Sequence, residues 1–291
     1  MFSDIYGLYN KCFPAYEMTE EGFNDWLCPE KAHIIRAFNN EKLAGFSMLH
    51  GNSIVLLCVD EKERGKGLGS KLLKESEEHI KSTGAEKIIL GHGAYYVFQG
   101  VPAENPASVS FFEKRGYSAE WTSVNMGIRL ADFDASVLNI PPKPDSVTFR
   151  FAEDADKPEL LKAVEDADSD YSGSNWVRIF KDCEAPVMLA VQNNEIMGFQ
   201  ILDTDGTRFS MAGEKVAAIG CVGVIHKARE LGIGRRMVVE GMEWLREQGS
   251  TFVELLYVEI VDWYKKLGFY VTGEQWMGEK IFYKHDNQLS Y

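Results

Sequence analysis

Residues 63–69 read ERGKGLG, and 165 positions later residues 228–234 read ARELGIG. Each copy follows a short apolar run, Cys58–Val59 in the first and Val222–Val224 in the second. Each also opens a stretch with helical spacing. A strand that ends in a glycine-rich turn and passes into a helix presents a row of free backbone N–H groups. The positive end of the helix dipole lies behind them, so such a turn is an anion site suited to phosphate. Gly67 and Gly69 let the main chain approach the anion with no β-carbon in the way. Arg64 and Arg229 can bond a phosphate or brace the loop.

The rest of the chain repeats around these turns. The segment NIPPKPDS, residues 139–146, has three prolines that can continue neither a helix nor a central strand, and reads as a linker. It separates a first domain, residues 1–138, from a second, residues 147–291. In the first, HIIRAFNN and KLAGFSMLHG read as a hairpin across Asn39 and Asn40, and SIVLLCV as a strand. The turn opens the helix SKLLKESEEHIKSTG; KIILGH, ASVSFFEKRGY and TSVNMGIRL follow as strand, helix and closing strand. In the second, VTFRF is a strand and ADKPELLKAVEDAD a helix with Pro158 in its first turn. A hairpin around Asn194, the strand AAIGCVGV, the turn, the helix GRRMVVEGMEWLREQG, the strand TFVELLY, the helix DWYKKLGF and the strand EKIFYK complete it. The segments FFEKRGY and WYKKLGF align at an offset of 152, which sets Phe112 opposite Tyr264. The 13-residue difference between the offsets lies in an extra first-half loop, roughly GAYYVFQGVPAEN, a length often associated with function. The first half begins with a helix-like segment and lacks a counterpart to VTFRF.

Bulk properties narrow the function. At 291 residues, 45% hydrophobic and 26% charged, the chain is sized for two soluble globular domains. No run of about 18 apolar residues is present, so no membrane span is expected, and the N-terminus lacks a signal-peptide pattern. Net charge is −13, with 20 acids against 15 Lys/Arg over residues 1–145 and 24 against 16 over 146–291. Neither half is basic, which argues against nucleic acid. The five cysteines, Cys12, Cys28, Cys58, Cys183 and Cys221, are odd in number and contain no CxxC. Reduced thiols in a cytoplasm are the simplest reading, with no metal site.

Three readings of the turn compete. A dinucleotide fingerprint would follow the first strand of a βαβ unit, whereas this turn follows an antiparallel hairpin. A P-loop needs GxxxxGK[ST], which neither copy has. A helix entry that binds nothing is the third, and two copies in one architectural place weaken it.

The turn contexts VDEKERGKGLG and VIHKARELGIG resemble motif A of the GNAT superfamily of N-acetyltransferases, and NPASVSFFEKRGY and DWYKKLGF resemble its motif B. The resemblance covers both halves, and the layout is similar to that of mycothiol synthase and related two-domain acetyltransferases. It implies an α/β fold of two tandem domains. Each would be a mostly antiparallel mixed sheet with one splayed parallel strand pair and flanking helices. It implies acetyl-CoA in the gap of that pair. The pyrophosphate would lie on the amides of Arg64, Gly65, Lys66, Gly67, Leu68, Gly69 and Ser70, and the pantetheine arm along Leu57 and Val59. In the second half the matching positions are Arg229, Glu230, Leu231, Gly232, Ile233, Gly234 and Arg235, with Val222 and Val224. Asn105 occupies the motif B asparagine position, and Tyr257 stands at its second-half counterpart.

The implied chemistry is direct transfer of an acetyl group from acetyl-CoA to the amine of a small molecule by a monomer or homodimer. A motif B tyrosine protonates the departing sulfur in this family, and a phenol near pKa 10 can do so only where the thiolate is poorly solvated. Tyr264 occupies that position and Phe112 cannot fill it, so the second half is read as catalytic. The alternative is that Tyr264 is an ordinary helix residue with a locally satisfied hydroxyl. The general base is not legible: Glu254, His226 and His92 are candidates, each with a commoner structural explanation. Asp166, Asp168, Asp170 and Trp176 frame a candidate acceptor site, or else a solvated acidic loop. The rival function is a non-catalytic acyl-CoA-binding sensor or scaffold.

Overall fold

The computed structural model describes residues 2–93, 97–142, 145–169, 176–206, 209, 211 and 213–282. The chain forms two compact units. One gathers the residues up to Ser123, Phe209 and the chain from Gly273 onward, and the other runs from Val124 to Thr272 apart from the segment around Phe209.

The first unit opens with α1 (Ser3–Cys12) and α2 (Glu20–Leu27), and no strand precedes them among the described residues. Thr19 caps α2 by accepting the Gly22 amide at 3.0 Å. The strands β1 (His33–Asn39), β2 (Lys42–His50) and β3 (Ser53–Val59) form an antiparallel meander. The first turn places Asn40 and Glu41 at positive φ, as a two-residue hairpin turn of the right twist requires. Helix α3 (Leu68–Ser82) crosses to β4 (Lys87–Leu90), which runs parallel to β3. The short β5 (Val101–Pro102) and α4 (Pro106–Glu113) follow. Two apolar clusters fill this unit. One lies around Tyr9, Phe23 and Phe46, the other around Leu73, Ile80 and Phe112.

The second unit contains β6 (Thr122–Arg129), β7 (Val147–Phe151), α5 (Lys157–Asp168), α6 (Trp176–Asp182), β8 (Val187–Gln192), β9 (Glu195–Asp203) and β10 (Val216–Val224). Then come α7 (Ile233–Glu247), β11 (Phe252–Val258), α8 (Val261–Lys265) and the start of β12 (Tyr270–Trp276), whose residues from Gly273 belong to the first unit. The strands β7 to β10 are antiparallel, and β10 and β11 are the parallel pair. Asn193 and Asn194 supply the positive φ values of the β8–β9 turn. A single core around Phe199, Met237, Met242 and Val253 holds the unit together. Each unit is thus a mixed α/β layer with one parallel pair in an otherwise antiparallel sheet.

Two strands go elsewhere than their sequence order indicates. The segment TSVNMGIRL, read as closing the first half, is β6 and pairs antiparallel with β11 of the second unit. The last described strand, β13 (Glu279–Ile281), follows the second half in sequence but pairs antiparallel with β4. Lys280 fixes it there by donating to Glu77 Oε1 and to the Arg115 carbonyl, both at 2.9 Å. Periodicity marks a segment as a strand without naming its partner. The outer edges of β4 and β11 need neighbours, and these strands supply them.

The β6–β11 contact is tight at Gly127. A β-carbon there would lie 2.3 Å from Phe252 Cζ and 3.0 Å from Thr272 Cγ2, whereas one at Gly273 would meet nothing within 4 Å. Overpacking of this kind costs about 1–3 kcal/mol. Gly127→Ala is expected to lower the unfolding free energy read from urea titration by that amount, with a lower midpoint at unchanged m, and Gly273→Ala to leave it within about 0.5 kcal/mol of the parent.

Candidate active site

The first-half turn is built on the end of β3. Arg64 Nε donates to the Val59 carbonyl at 3.1 Å, so the guanidinium braces the loop against the strand that precedes it. Gly67, at φ 85°, is the N-cap of α3. The first backbone bond of the helix runs from the Lys71 amide to the Gly67 carbonyl at 3.1 Å. The amides of Leu68, Gly69 and Ser70 lie ahead of that bond and are the orphan donors of a helix start. A β-carbon on Gly65 or Gly67 would meet nothing within 4 Å. The turn is open, and its donors suit a phosphate. Lys66 at its tip pairs with Glu63 at 3.1 Å. Ser70 Oγ accepts Arg115 Nη2 at 2.7 Å, tying α3 to the end of α4.

The parallel pair beside this turn parts quickly. β3 and β4 are in register only at Ser53–Ile89 and Ile54–Leu90, and the Gly91 amide reaches back to the Ile54 carbonyl at 2.9 Å. Past that point lies a cavity of about 190 Å³. Leu56 and Leu57 line it from β3, Leu90 and Gly91 from β4, and Asn105, Ser108 and Phe112 from α4 and its cap. Cys12 at the end of α1 and Phe13 and Tyr16 in the chain that follows close it. Asn105 caps α4, its Oδ1 accepting the Ser108 amide at 3.2 Å. Tyr16 donates to Glu104 Oε1 at 2.5 Å and accepts Gln275 Nε2 at 3.3 Å.

The second-half turn has the same backbone and different surroundings. Arg229 Nε donates to the Val224 carbonyl at 3.3 Å, and its Nη2 to the Ala167 carbonyl at 3.0 Å. Gly232, at φ 72°, is the N-cap of α7, and the Arg236 amide bonds its carbonyl at 3.4 Å. Here the linker covers the turn: a β-carbon on Gly232 would lie 2.6 Å from Pro141 Cβ. Arg235 Nη1 holds the same segment by donating to the Asn139 carbonyl at 3.1 Å. Ile233 is fully buried, while Glu230 and Leu231 face outward. The strand pair β10–β11 is in register for three residues, ending at Ala218–Glu254. Beyond it Val222 and Val224 are half-buried, with a bulge and a positive φ at Cys221.

Tyr264 is 8% exposed and packs edge-on against Trp263 at 4.8 Å and Phe269 at 5.8 Å. Trp263 would lie 3.5 Å from a β-carbon on Gly234, as Phe111 would from one on Gly69, so the two motif B helices face their turns alike. Tyr257 stands at positive φ on a bulge of β11 and is exposed.

The other sequence candidates are spread out. Glu254 sits at the last parallel pair of the second gap. Asp166 Oδ2 accepts the His226 amide at 2.7 Å and lies 3.2 Å from its Nδ1. The hydrogen bond from that amide, with the His226 ring, holds the Asp166 carboxyl below its ordinary range. Burial pushes the His92 ring down. Asp168 Oδ1 is buried with no hydrogen-bond partner among the described residues, Trp176 packs against Phe199 at 6.2 Å, and Asp170 lies outside them.

Cys12, Tyr16, Glu104 and Gln275 were not singled out as site residues from sequence. Only Glu104, next to Asn105 in the extra loop, had a positional signal. Cys12 Sγ lies 3.6 Å from the Val59 carbonyl that Arg64 also bonds. A hydrogen bond with Cys58, against the penalty of burial, and then the Arg64 charge bring its thiol down to about 7. Cys58 is fully enclosed, and burial keeps its thiol protonated. Iodoacetamide is therefore expected to modify Cys12 at a rate that rises with pH through about 7, ahead of the other four cysteines, as peptide mapping would read. A midpoint near the ordinary thiol value would overturn this.

The sequence matches the acetyltransferase (GNAT) family model twice, over residues 2–117 and 149–269. It is 26% identical over 261 residues to a mycothiol acetyltransferase of Nocardia farcinica (strain IFM 10152), covering 83% of this chain and 80% of that one. Among solved structures, the fold is similar to a GCN5-related glucosamine N-acetyltransferase region of a fungal multi-domain GH3 beta-N-acetylglucosaminidase. The TM-score is 0.79 at 21% identity, covering 96% of this chain and 36% of that one, so this chain spans about a third of that protein. It is also similar to a tandem GNAT protein from the clavulanic acid biosynthesis pathway, with TM-score 0.68 at 14% identity, covering 98% and 95%. The chain belongs to the GNAT family, as an N-acetyltransferase with two tandem GNAT domains.

Proposed function

We propose that the protein transfers an acetyl group from acetyl-CoA to the amine of a small molecule, with the cofactor held by the first unit. The observation that carries this placement is the contrast between the two turns. The first is open and stands beside a cavity in the parting of β3 and β4, whereas Pro141 covers the second. In the first unit the pyrophosphate fits the amides of Leu68, Gly69 and Ser70, with Gly65 and Gly67 allowing close approach and Lys66 adding charge. Arg64 serves the same site through the loop it braces. The pantetheine arm fits along Leu57 and Val59, past Asn105. The acetyl end then lies in the apolar cavity, where exclusion of water strengthens any hydrogen bond to the thioester.

A second reading keeps the chemistry in the second half, with Tyr264 as the acid that protonates the thiolate and Val222, Val224 and residues 229–235 as a cofactor site. It is favoured by the packing of Trp263, next to Tyr264, toward Gly234 at the start of α7.

Calorimetry and kinetics separate them. The protein is expected to bind one acetyl-CoA and to gain about 2.7 kcal/mol of stability at a hundredfold excess over Kd. Gly67→Asp sets a negative charge on the open turn, in a conformation Asp tolerates, and is expected to abolish binding. Leu231→Glu on the covered turn should leave it within about threefold. With free-thiol release from acetyl-CoA as the assay, Tyr264→Phe should leave kcat within about threefold. A fall of roughly 10²- to 10⁴-fold would move the chemistry to the second half.

A further inference from the structure

We infer that Glu104 and Tyr16 form the acceptor subsite of the first-half cavity, taking a primary ammonium group carried on an apolar, ring-bearing body and receiving its proton. This rests on the cofactor placement proposed above. Among the described residues lining the cavity Glu104 carries the one charged side chain, and its carboxylate meets the Tyr16 hydroxyl at 2.5 Å. A carboxylate offers about four lone-pair positions, and Tyr16 uses one of them. The rest of the lining is largely apolar, with Phe13, Phe98, Val101 and Phe112 prominent. An exposed carboxylate beside such a lining favours a cation as partner, and the ring faces add to that preference.

The pair is held from three sides. The Tyr9 hydroxyl donates to the Tyr16 carbonyl, and the Tyr16 amide to the Phe13 carbonyl, fixing the turn between α1 and α2. The Tyr16 ring lies 5.3 Å from Phe98 and 5.0 Å from Phe209, both edge-on. The loop bearing Glu104 is anchored by the Ala103 amide on the Glu274 carbonyl at 2.9 Å and by the pairing of Pro102 with Gln275. Gln275 is 2% exposed; its Nε2 donates to the Tyr16 hydroxyl, and its Oε1 is buried with no partner among the described residues. A buried carboxamide left half-satisfied is costly in a purely structural role. By occupying the Tyr16 oxygen, Gln275 turns the phenolic proton toward Glu104.

The proton balance follows. The ammonium group gives one proton to Glu104, directly or through the Tyr16 hydroxyl, which passes its own proton to Glu104 as it accepts the ligand's. The freed nitrogen lone pair forms the N–C bond to the acetyl carbon, the C–S bond breaks, and the second nitrogen proton ends on the departing thiolate. Glu104 then releases its proton to water. One ammonium and one thioester give one amide, one thiol and one proton.

The test uses the full chain, acetyl-CoA and three probes: 2-phenylethylamine, spermidine and glucosamine. Thiol release is expected to show kcat/KM for 2-phenylethylamine at least about tenfold above the other two. Glu104→Gln is isosteric at an exposed position and is expected to lower kcat/KM by about 100-fold, with acetyl-CoA affinity within about threefold by calorimetry. Tyr16→Phe is expected to lower kcat by about tenfold more than it raises KM, which loss of packing alone would not do. Full activity in Glu104→Gln, a preference for spermidine or glucosamine, or no turnover of any probe would overturn the subsite while acetyl-CoA binding upholds the cofactor site. A wild-type protein that binds no acetyl-CoA would overturn both.

Discussion

The site depends on two strands that start parallel and do not stay together. β3 and β4 share two register positions and then part, so that beyond Ile54 and Leu90 each turns an edge toward the other with no strand between them among the described residues. Backbone polar groups facing such a gap are costly unless something pairs with them, and an amide-bearing chain laid into the gap can do so as an added strand would. The splay also fixes where the rest must stand. The turn at Gly67 lies at the far end of β3, the cap of α4 lies past β4, and β13 holds the outer edge of β4, opposite the gap. Loss of β13 would leave both edges of β4 without a neighbour over part of its length, which is why the Lys280 bonds to Glu77 and Arg115 matter to a site they do not touch.

The two copies show what a duplicated turn keeps and what it can lose. Both keep the glycine at positive φ before the long helix, the aromatic ring against the second glycine, and the arginine on the last carbonyl of the strand. They differ in what surrounds those features. Ser70 is tied to Arg115 in the first copy, whereas the corresponding Arg235 turns to the linker carbonyl of Asn139 in the second. Tethered there, the linker brings Pro141 onto Gly232.

How much of this was legible in the sequence follows from the range of each interaction. The turns, their helices and the hairpins at Asn40 and Asn193–Asn194 are set by neighbours within a few residues, so glycine and asparagine placement announced them. The family followed from the same short motifs. The strand partners of β6 and β13 did not, because an alternating pattern identifies a face and not a neighbour. The linker was legible as proline-rich, but its rest on Gly232 depends on one arginine reaching from α7. The trio at the cavity was hidden for the same reason: Tyr16 meets Glu104 across 88 positions and Gln275 across 259. Tyr264 was singled out by its motif B position, which Phe112 fills in the first half, a positional argument that says nothing of the burial in which the structure places it.

The arginine of each turn shows how the copies separate folding from binding. Arg229 makes the same bond to the end of its strand as Arg64 does, although Pro141 lies on the turn that Arg229 supports. A contact that persists where the anion site is covered is not maintained by the anion. It is maintained because the last residue of the strand, Val59 or Val224, leaves a carbonyl that the loop must satisfy, and the guanidinium five residues later is the group in reach. The arginine of this motif is therefore first a device for closing the loop, and the row of open amides is a consequence of the shape so closed. What distinguishes the open copy is the space in front of its amides and the cavity between its strands. In the first unit that space adjoins a carboxylate, a phenol and a buried amide joined by hydrogen bonds, and these, more than the repeated motif, set what chemistry the turn can serve.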